Sequence, residues 1–138
     1  MEIELFEIRE GFKIICTQAD TFPEGIGRAF QTLEQALGKE PDFCERPFFG
    51  VSQGSKEGII YKAAVLQTKE GEGEKHGFET FTVLPGKYLC INISNWRNNE
   101  STIGMAFTQL LEDKRMDTSF PCLEWYNENN VKCLVKSI

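Results

Sequence analysis

The sequence predicts an α+β fold made of one strand-strand-helix-hairpin module written twice: a pseudo-two-fold antiparallel sheet with two helices on one face and a cleft between the repeats. Three observations predict it. Lys13-Ile14-Ile15-Cys16 returns as Lys87-Tyr88-Leu89-Cys90, Ile26-Gly27-Arg28-Ala29-Phe30 returns as Ile103-Gly104-Met105-Ala106-Phe107, and Pro47-Phe48-Phe49 returns as Pro121-Cys122-Leu123. The offsets are 74, 77 and 74 residues, so the second copy gains three residues before its middle block and loses three after it. Length changes of that kind belong in loops, and three blocks in one order with compensating offsets mark a duplicated fold. A cleft between copies is where small-molecule sites concentrate.

A short strand leads each copy, Ile3 to Ile8 and Phe78 to Leu84, the latter ending at Pro85-Gly86. Lys13 to Thr17 is an apolar strand-like run, after which the spacing changes to the helical period. Ile26, Ala29, Phe30, Leu33 and Leu37 line one helix face, and Ile103, Ala106, Phe107, Leu110 and Leu111 repeat the stripe. Phe30 and Phe107 therefore read as core. Pro23 near the first helix and Ser101 or Thr102 at the second fit N-terminal signals. Phe48 to Gln53, a turn at Gly54 to Gly58, and Ile59 to Gln67 read as a hairpin, with Cys122 to Tyr126, a turn at Asn127 to Asn130, and Val131 to Lys136 as its counterpart. Between the copies, Thr68 to Gly77 is polar and Gly-rich and reads as a mobile linker or long loop. The expected organisation is one domain over residues 1–138, with repeat one at about 1–67, a linker at 68–77 and repeat two at about 78–138.

A chain of 138 residues can bury most of its apolar surface without a metal or disulfide. Its five cysteines are odd in number, form no C-x-x-C pair, and stand beside a single histidine, His76. That argues against a zinc site or a disulfide framework and points to a reducing cytoplasm. No metal or cofactor is expected. The start Met1 to Leu5 has no basic region followed by an apolar run, and no stretch approaches a membrane span. A net charge of −6 with no local cluster of Lys and Arg argues against direct nucleic-acid binding. No nucleophile-base pair, P-loop or dinucleotide fingerprint is present. Any protein partner is left open.

The repeated blocks resemble the GyrI-like small-molecule-binding domain, the effector-binding domain of AraC-type and multidrug-responsive bacterial regulators. Leu84-Pro85-Gly86-Lys87-Tyr88 looks like the opening of that family's second repeat, the two I-G-x-A-F segments like its helix starts, and Pro121-Cys122-Leu123-Glu124-Trp125-Tyr126 like its P-x-x-E-x-Y strand. The resemblance covers nearly the whole chain. Family members often carry a G-P-Y-type segment before each helix, whereas here the stretches are Ala19 to Pro23 and Ser94 to Asn99, so that loop's contacts do not carry over. No helix-turn-helix accompanies the module, as in the family's free-standing kind.

Glu124 is the leading candidate for chemistry. Strand alternation puts Cys122, Glu124 and Tyr126 on one face and Leu123 and Trp125 on the other. A carboxylate is disfavoured inside a strand, and the equivalent position of the first copy is Gly50, so the repeat does not need the acid as scaffold. In the family, a central glutamate of this strand meets cationic lipophilic ligands. Tyr126, Tyr88 and Trp96 are the candidate ring faces for such a ligand, while Trp125 reads as core. A ring within about 6 Å of a cation contributes roughly 0.5 to 2 kcal/mol. A carboxylate at about 4 Å contributes on the order of 4 kcal/mol at an effective dielectric near 20, so the glutamate would dominate charge selection. Cys122 shares that face, but a neighbouring carboxylate opposes thiolate formation.

The function expected from this is binding of small, flat, lipophilic and often cationic molecules by an effector-binding or sequestering protein. No catalytic residue is assigned for that function. Two alternatives accompany the resemblance. One is a hydrolase of cyclopropane-type genotoxins in which Glu124 would orient or deprotonate water. The other is a protein-interaction inhibitor of the gyrase-inhibiting type, acting through its acidic surface.

Overall fold

A computed structural model describes residues 1–138. The chain divides into two compact units, Gly11–Val83 and the combination of Met1–Glu10 with Leu84–Ile138. It contains three helices and eight strands, all paired antiparallel. The fold is α+β, and no helix is long and apolar enough to cross a membrane.

The first strand, β1 (Glu4–Ile8), belongs to the second of these units. The unit Gly11–Val83 runs β2 (Phe12–Gln18), α1 (Ile26–Leu37), β3 (Phe48–Ser55), β4 (Gly58–Leu66), α2 (Glu72–Lys75) and β5 (Glu79–Val83). Its strands lie in the order β3-β4-β2-β5. The predicted stripe docks α1: Ala29, Leu33 and Leu37 are buried against Ile15, Tyr61, Ala63 and Val65, with Ile26 and half-buried Phe30 at the margin. Burying one such leucine stabilises the unit by about 1.5 to 3 kcal/mol. The hairpin turn is tighter than the glycines predicted. Ser55 pairs with Gly58, whose φ of 121° suits only glycine, and Ser55 Oγ donates to the Gly58 carbonyl at 2.7 Å.

The other unit follows β1 with β6 (Gly86–Ser94), α3 (Glu100–Leu111), β7 (Cys122–Asn127) and β8 (Asn130–Lys136), in the sheet order β1-β6-β8-β7. Ala106 and Leu110 of α3 are buried against Leu89, Ile91, Ile93, Val131, Cys133 and Val135, with Ile103 and Phe107 half-buried beside them. Leu111, predicted on the stripe, is 54% exposed, because it closes the helix one position round from Leu110. Phe30 and Phe107 are half-buried against their clusters rather than fully in the core, whereas their neighbours Ala29 and Ala106 are buried. Ser101 and Thr102 lie inside the first turn of α3, after Asn99 at the N-cap.

Two features were not read from the repeat. The leading strands are exchanged: β1 pairs with β6 of the second copy, Phe6 opposite Tyr88, and β5 pairs with β2 of the first, Phe81 opposite Ile14. The segment 68–77, expected to be a mobile linker or long loop, carries one half of a buried ion pair. Arg46 Nη1 and Nη2 donate to both carboxylate oxygens of Glu72 at 3.0 and 2.9 Å, and the two side chains are 2% and 3% exposed. Arg46 also donates to Asp42 and to the Leu66 carbonyl, and the Thr68 amide donates to Glu72. Gly73 permits the turn to sit flat on the sheet, where a Cβ would come within 2.7 Å of Thr80 Cγ2.

Burial alone would raise the Glu72 carboxyl, but the hydrogen bonds from Arg46 and Thr68 and the guanidinium charge overcome it and hold the group below its ordinary range. Glu72→Ala is therefore expected to cost about 1 to 3 kcal/mol in urea unfolding, because it leaves the buried guanidinium with the part-exposed Asp42 carboxylate as its ion partner. A cost under about 1 kcal/mol would contradict the pair's burial. Because the folded state holds this carboxyl down, the pair's contribution is intact above the ordinary glutamate range and is lost as pH falls through the depressed one. The acid limb of a wild-type stability profile should accordingly be flattened in the mutant.

Candidate functional site

The site is built on β7 in the unit of Met1–Glu10 and Leu84–Ile138. Its register sets Glu124 opposite Cys133 and Tyr126 opposite Val131, while Cys133 and Val131 pair on their other side with Ile91 and Ile93. Those four partners belong to the cluster under α3. Glu124 and Tyr126 therefore share the helix-covered face, in agreement with the strand alternation.

Glu124 is 9% exposed, so it needs hydrogen bonds in place of water. Tyr126 Oη donates to Glu124 Oε1 at 2.5 Å. Within a strand, side chains at i and i+2 can meet in this way because they share a face. Tyr126 in turn meets Trp96, with ring centroids 4.8 Å apart and planes at 61°. Trp96 comes from the loop that opens α3 and is tied to the β7–β8 turn: its backbone amide donates to the Asn129 carbonyl at 3.2 Å and its indole Nε1 to the Glu128 carbonyl at 3.3 Å. Arg97 lies over the Trp96 ring, 4.6 Å from its centroid. A carboxylate, a phenol and an indole thus follow one another in contact, a combination that can meet an organic cation with charge at one end and ring faces at the other.

Tyr88 is not part of this set. In β6 the helix-facing residues are Leu89, Ile91 and Ile93, so Tyr88 points to the opposite face, where it stands between Phe6 and Lys136. Its hydroxyl donates to the Leu84 carbonyl at 2.6 Å, and Lys136 Nζ lies 5.5 Å from its ring centroid. Trp125 is on that face too, edge-on to Phe6 at 6.0 Å. Of the four candidates named from the sequence, the structure brings Glu124, Tyr126 and Trp96 together and places Tyr88 on the opposite face of the sheet.

Burial pushes the Cys133 thiol up, and the neighbouring Glu124 carboxylate pushes it further. Burial, with Glu79 adding to it, likewise raises Cys16 to about 12, and burial raises Cys90. These thiols are held protonated and offer no nucleophile. No group of three or more His, Cys, Asp or Glu side chains is gathered to hold a metal ion, and His76 is exposed. The other unit makes a loop-to-sheet aromatic contact of its own, from the neighbouring strand β4 and without the acid. Phe22 stacks on Tyr61 at 5.6 Å, and Gly50 stands opposite Ala63 where Glu124 stands opposite Cys133. Sequence reasoning missed Arg97, whose one visible signal was its place directly after Trp96.

The sequence matches no protein-family model and no curated protein. Solved structures do match. The chain is similar to SAV2435 bound to tetraphenylphosphonium, with a TM-score of 0.63 at 10% identity over 100% of this chain and 94% of that one. It is similar to the integron cassette protein VCH_CASS2 from the mobile metagenome of Vibrio cholerae, with a TM-score of 0.70 at 14% identity over 99% and 95%. The EcmrR C-terminal domain matches with a TM-score of 0.62 at 12% identity over 99% and 98%. The chain has the GyrI-like fold. At these identities the GyrI-like likeness is one of fold, and the side chains above stand on their own geometry.

Tyr126→Phe removes the hydroxyl that satisfies a buried carboxylate and leaves the ring on Trp96. It should cost about 1 to 3 kcal/mol in chemical unfolding. A variant as stable as the wild type would mean that the hydroxyl is dispensable to Glu124.

Proposed function

We propose that this chain binds small lipophilic organic cations on the helix-covered face of β7, as an effector-binding or sequestering protein. In this reading Glu124 selects for positive charge, and Trp96 and Tyr126 supply the ring faces. The observation that carries it is a carboxylate 9% exposed, hydrogen-bonded to Tyr126, in line with the Trp96 ring. A strand interior disfavours such an acid, and Gly50 at the equivalent place indicates that the module folds without one. The fold it shares with SAV2435, which was solved with tetraphenylphosphonium, supports the same ligand class.

The test is thermal unfolding of wild type and Glu124→Gln with tetraphenylphosphonium, neutral triphenylphosphine oxide and anionic tetraphenylborate. At a hundred times its Kd the cation should stabilise the wild type by about 2.7 kcal/mol. It should lose most of that effect in Glu124→Gln, which keeps the shape and removes the charge, while the neutral analogue acts alike on both. Equal cation responses in the two proteins would reject Glu124 as the selector. Hydrolysis at the same residue would reveal itself as turnover of a labile substrate in the wild type and not in Glu124→Gln.

A further inference from the structure

We propose that Arg97 is a resident cation that competes with the ligand for the Trp96 ring and so sets the affinity of the site. This rests on the cation-binding reading above and concerns how strongly, rather than whether, a cation binds. The guanidinium carbon of Arg97 lies 4.6 Å from the Trp96 ring centroid, inside the range of about 6 Å over which a ring attracts a cation. Its Nη1 donates to the Glu128 carbonyl at 3.2 Å. Both partners are neutral, so the charge is oriented there without being cancelled by an ion pair.

The same carbonyl accepts the Trp96 indole at 3.3 Å, so one backbone oxygen fixes both the ring and the cation above it. This clasp is held against local preference. Asn95 and Glu128 adopt left-handed φ values of 53° and 49°, which asparagine tolerates and glutamate does not favour. A clasp built on a backbone oxygen holds whatever side chain occupies the turn. Beyond the indole, Tyr126 touches Trp96 at 4.8 Å and holds Glu124 at 2.5 Å. An arriving ligand cation needs the same ring and the same carboxylate. It meets a ring face already occupied by positive charge, and must displace the exposed Arg97 side chain or bind beside it against like-charge repulsion.

The experiment is calorimetric titration of tetraphenylphosphonium into wild type, Arg97→Gln and Arg97→Lys, at low and high salt, with triphenylphosphine oxide as the neutral control. Glutamine keeps a neutral amide donor on a shorter side chain and removes the charge. Arg97→Gln should bind the cation about two- to five-fold tighter, the factor set by one exposed cation–ring contact. The gain should shrink at high salt, Arg97→Lys should stay near the wild type, and the neutral control should bind both proteins alike. Wild-type binding that Arg97→Gln leaves unchanged or weakens would overturn the inference while leaving the cation site standing. An equal gain for the neutral control would overturn it too, since that would report a loosened loop rather than a removed charge. Failure of all three proteins to bind the cation would overturn the cation-binding reading and this inference with it.

Discussion

In each unit a helix covers one face of a four-stranded antiparallel sheet, and the strand period of two then commits every residue to one side or the other. In β7 the commitment separates Glu124 and Tyr126, under α3, from Leu123 and Trp125. In β6 it separates Leu89, Ile91 and Ile93 from Tyr88 and Cys90. A one-residue slip would exchange the two sets of the strand concerned; in β7 it would bring Trp125 under the helix and carry the carboxylate away from the Trp96 loop. The site is thus a consequence of register, and register is maintained by the apolar residues that α3 buries.

Placing a carboxylate on the buried face has a cost that its neighbours offset. Tyr126 supplies a hydroxyl from two residues along the same strand, and Trp96 closes over Tyr126 from the loop before α3. The other unit has an analogous loop-to-sheet aromatic contact, Phe22 on Tyr61 of the neighbouring strand, and Gly50 at the acid's position. The carboxylate belongs to one copy. A second buried acid, Glu72, is handled differently: its two oxygens meet a full guanidinium fork from Arg46, which anchors the connection into β5. Glu72 is held by a strong cation of the chain itself, whereas Glu124 accepts a hydrogen bond from a phenol.

Much of this was legible in the sequence because it is local or periodic. The helix stripe Ala29, Leu33 and Leu37, both hairpins, and the separation of Glu124 from Trp125 follow from spacings within a dozen residues. The β6 alternation carries a signal of the same kind: Leu89, Ile91 and Ile93, with polar Asn92 between them, point Tyr88 away from the helix. What spacing could not reveal depends on partners far apart in the chain. Arg46 and Glu72 are 26 residues apart, and nothing local marks either as buried. The exchange of β1 and β5 between the copies leaves each strand's own pattern unchanged. The clasp on Trp96 and Arg97 uses the carbonyl of Glu128, a backbone atom that no residue type announces.

The central claim is positional: an organic cation lies on the helix side of β7, between Glu124 and the rings of Trp96 and Tyr126. A crystal structure with tetraphenylarsonium tests it directly, because anomalous scattering locates the arsenic atom independently of the protein density. The account predicts an arsenic peak close to Glu124 with a ligand ring against Trp96 or Tyr126, within about 6 Å of a ring centroid. A peak on the opposite face, against Phe6, Tyr88 or Trp125, would contradict it.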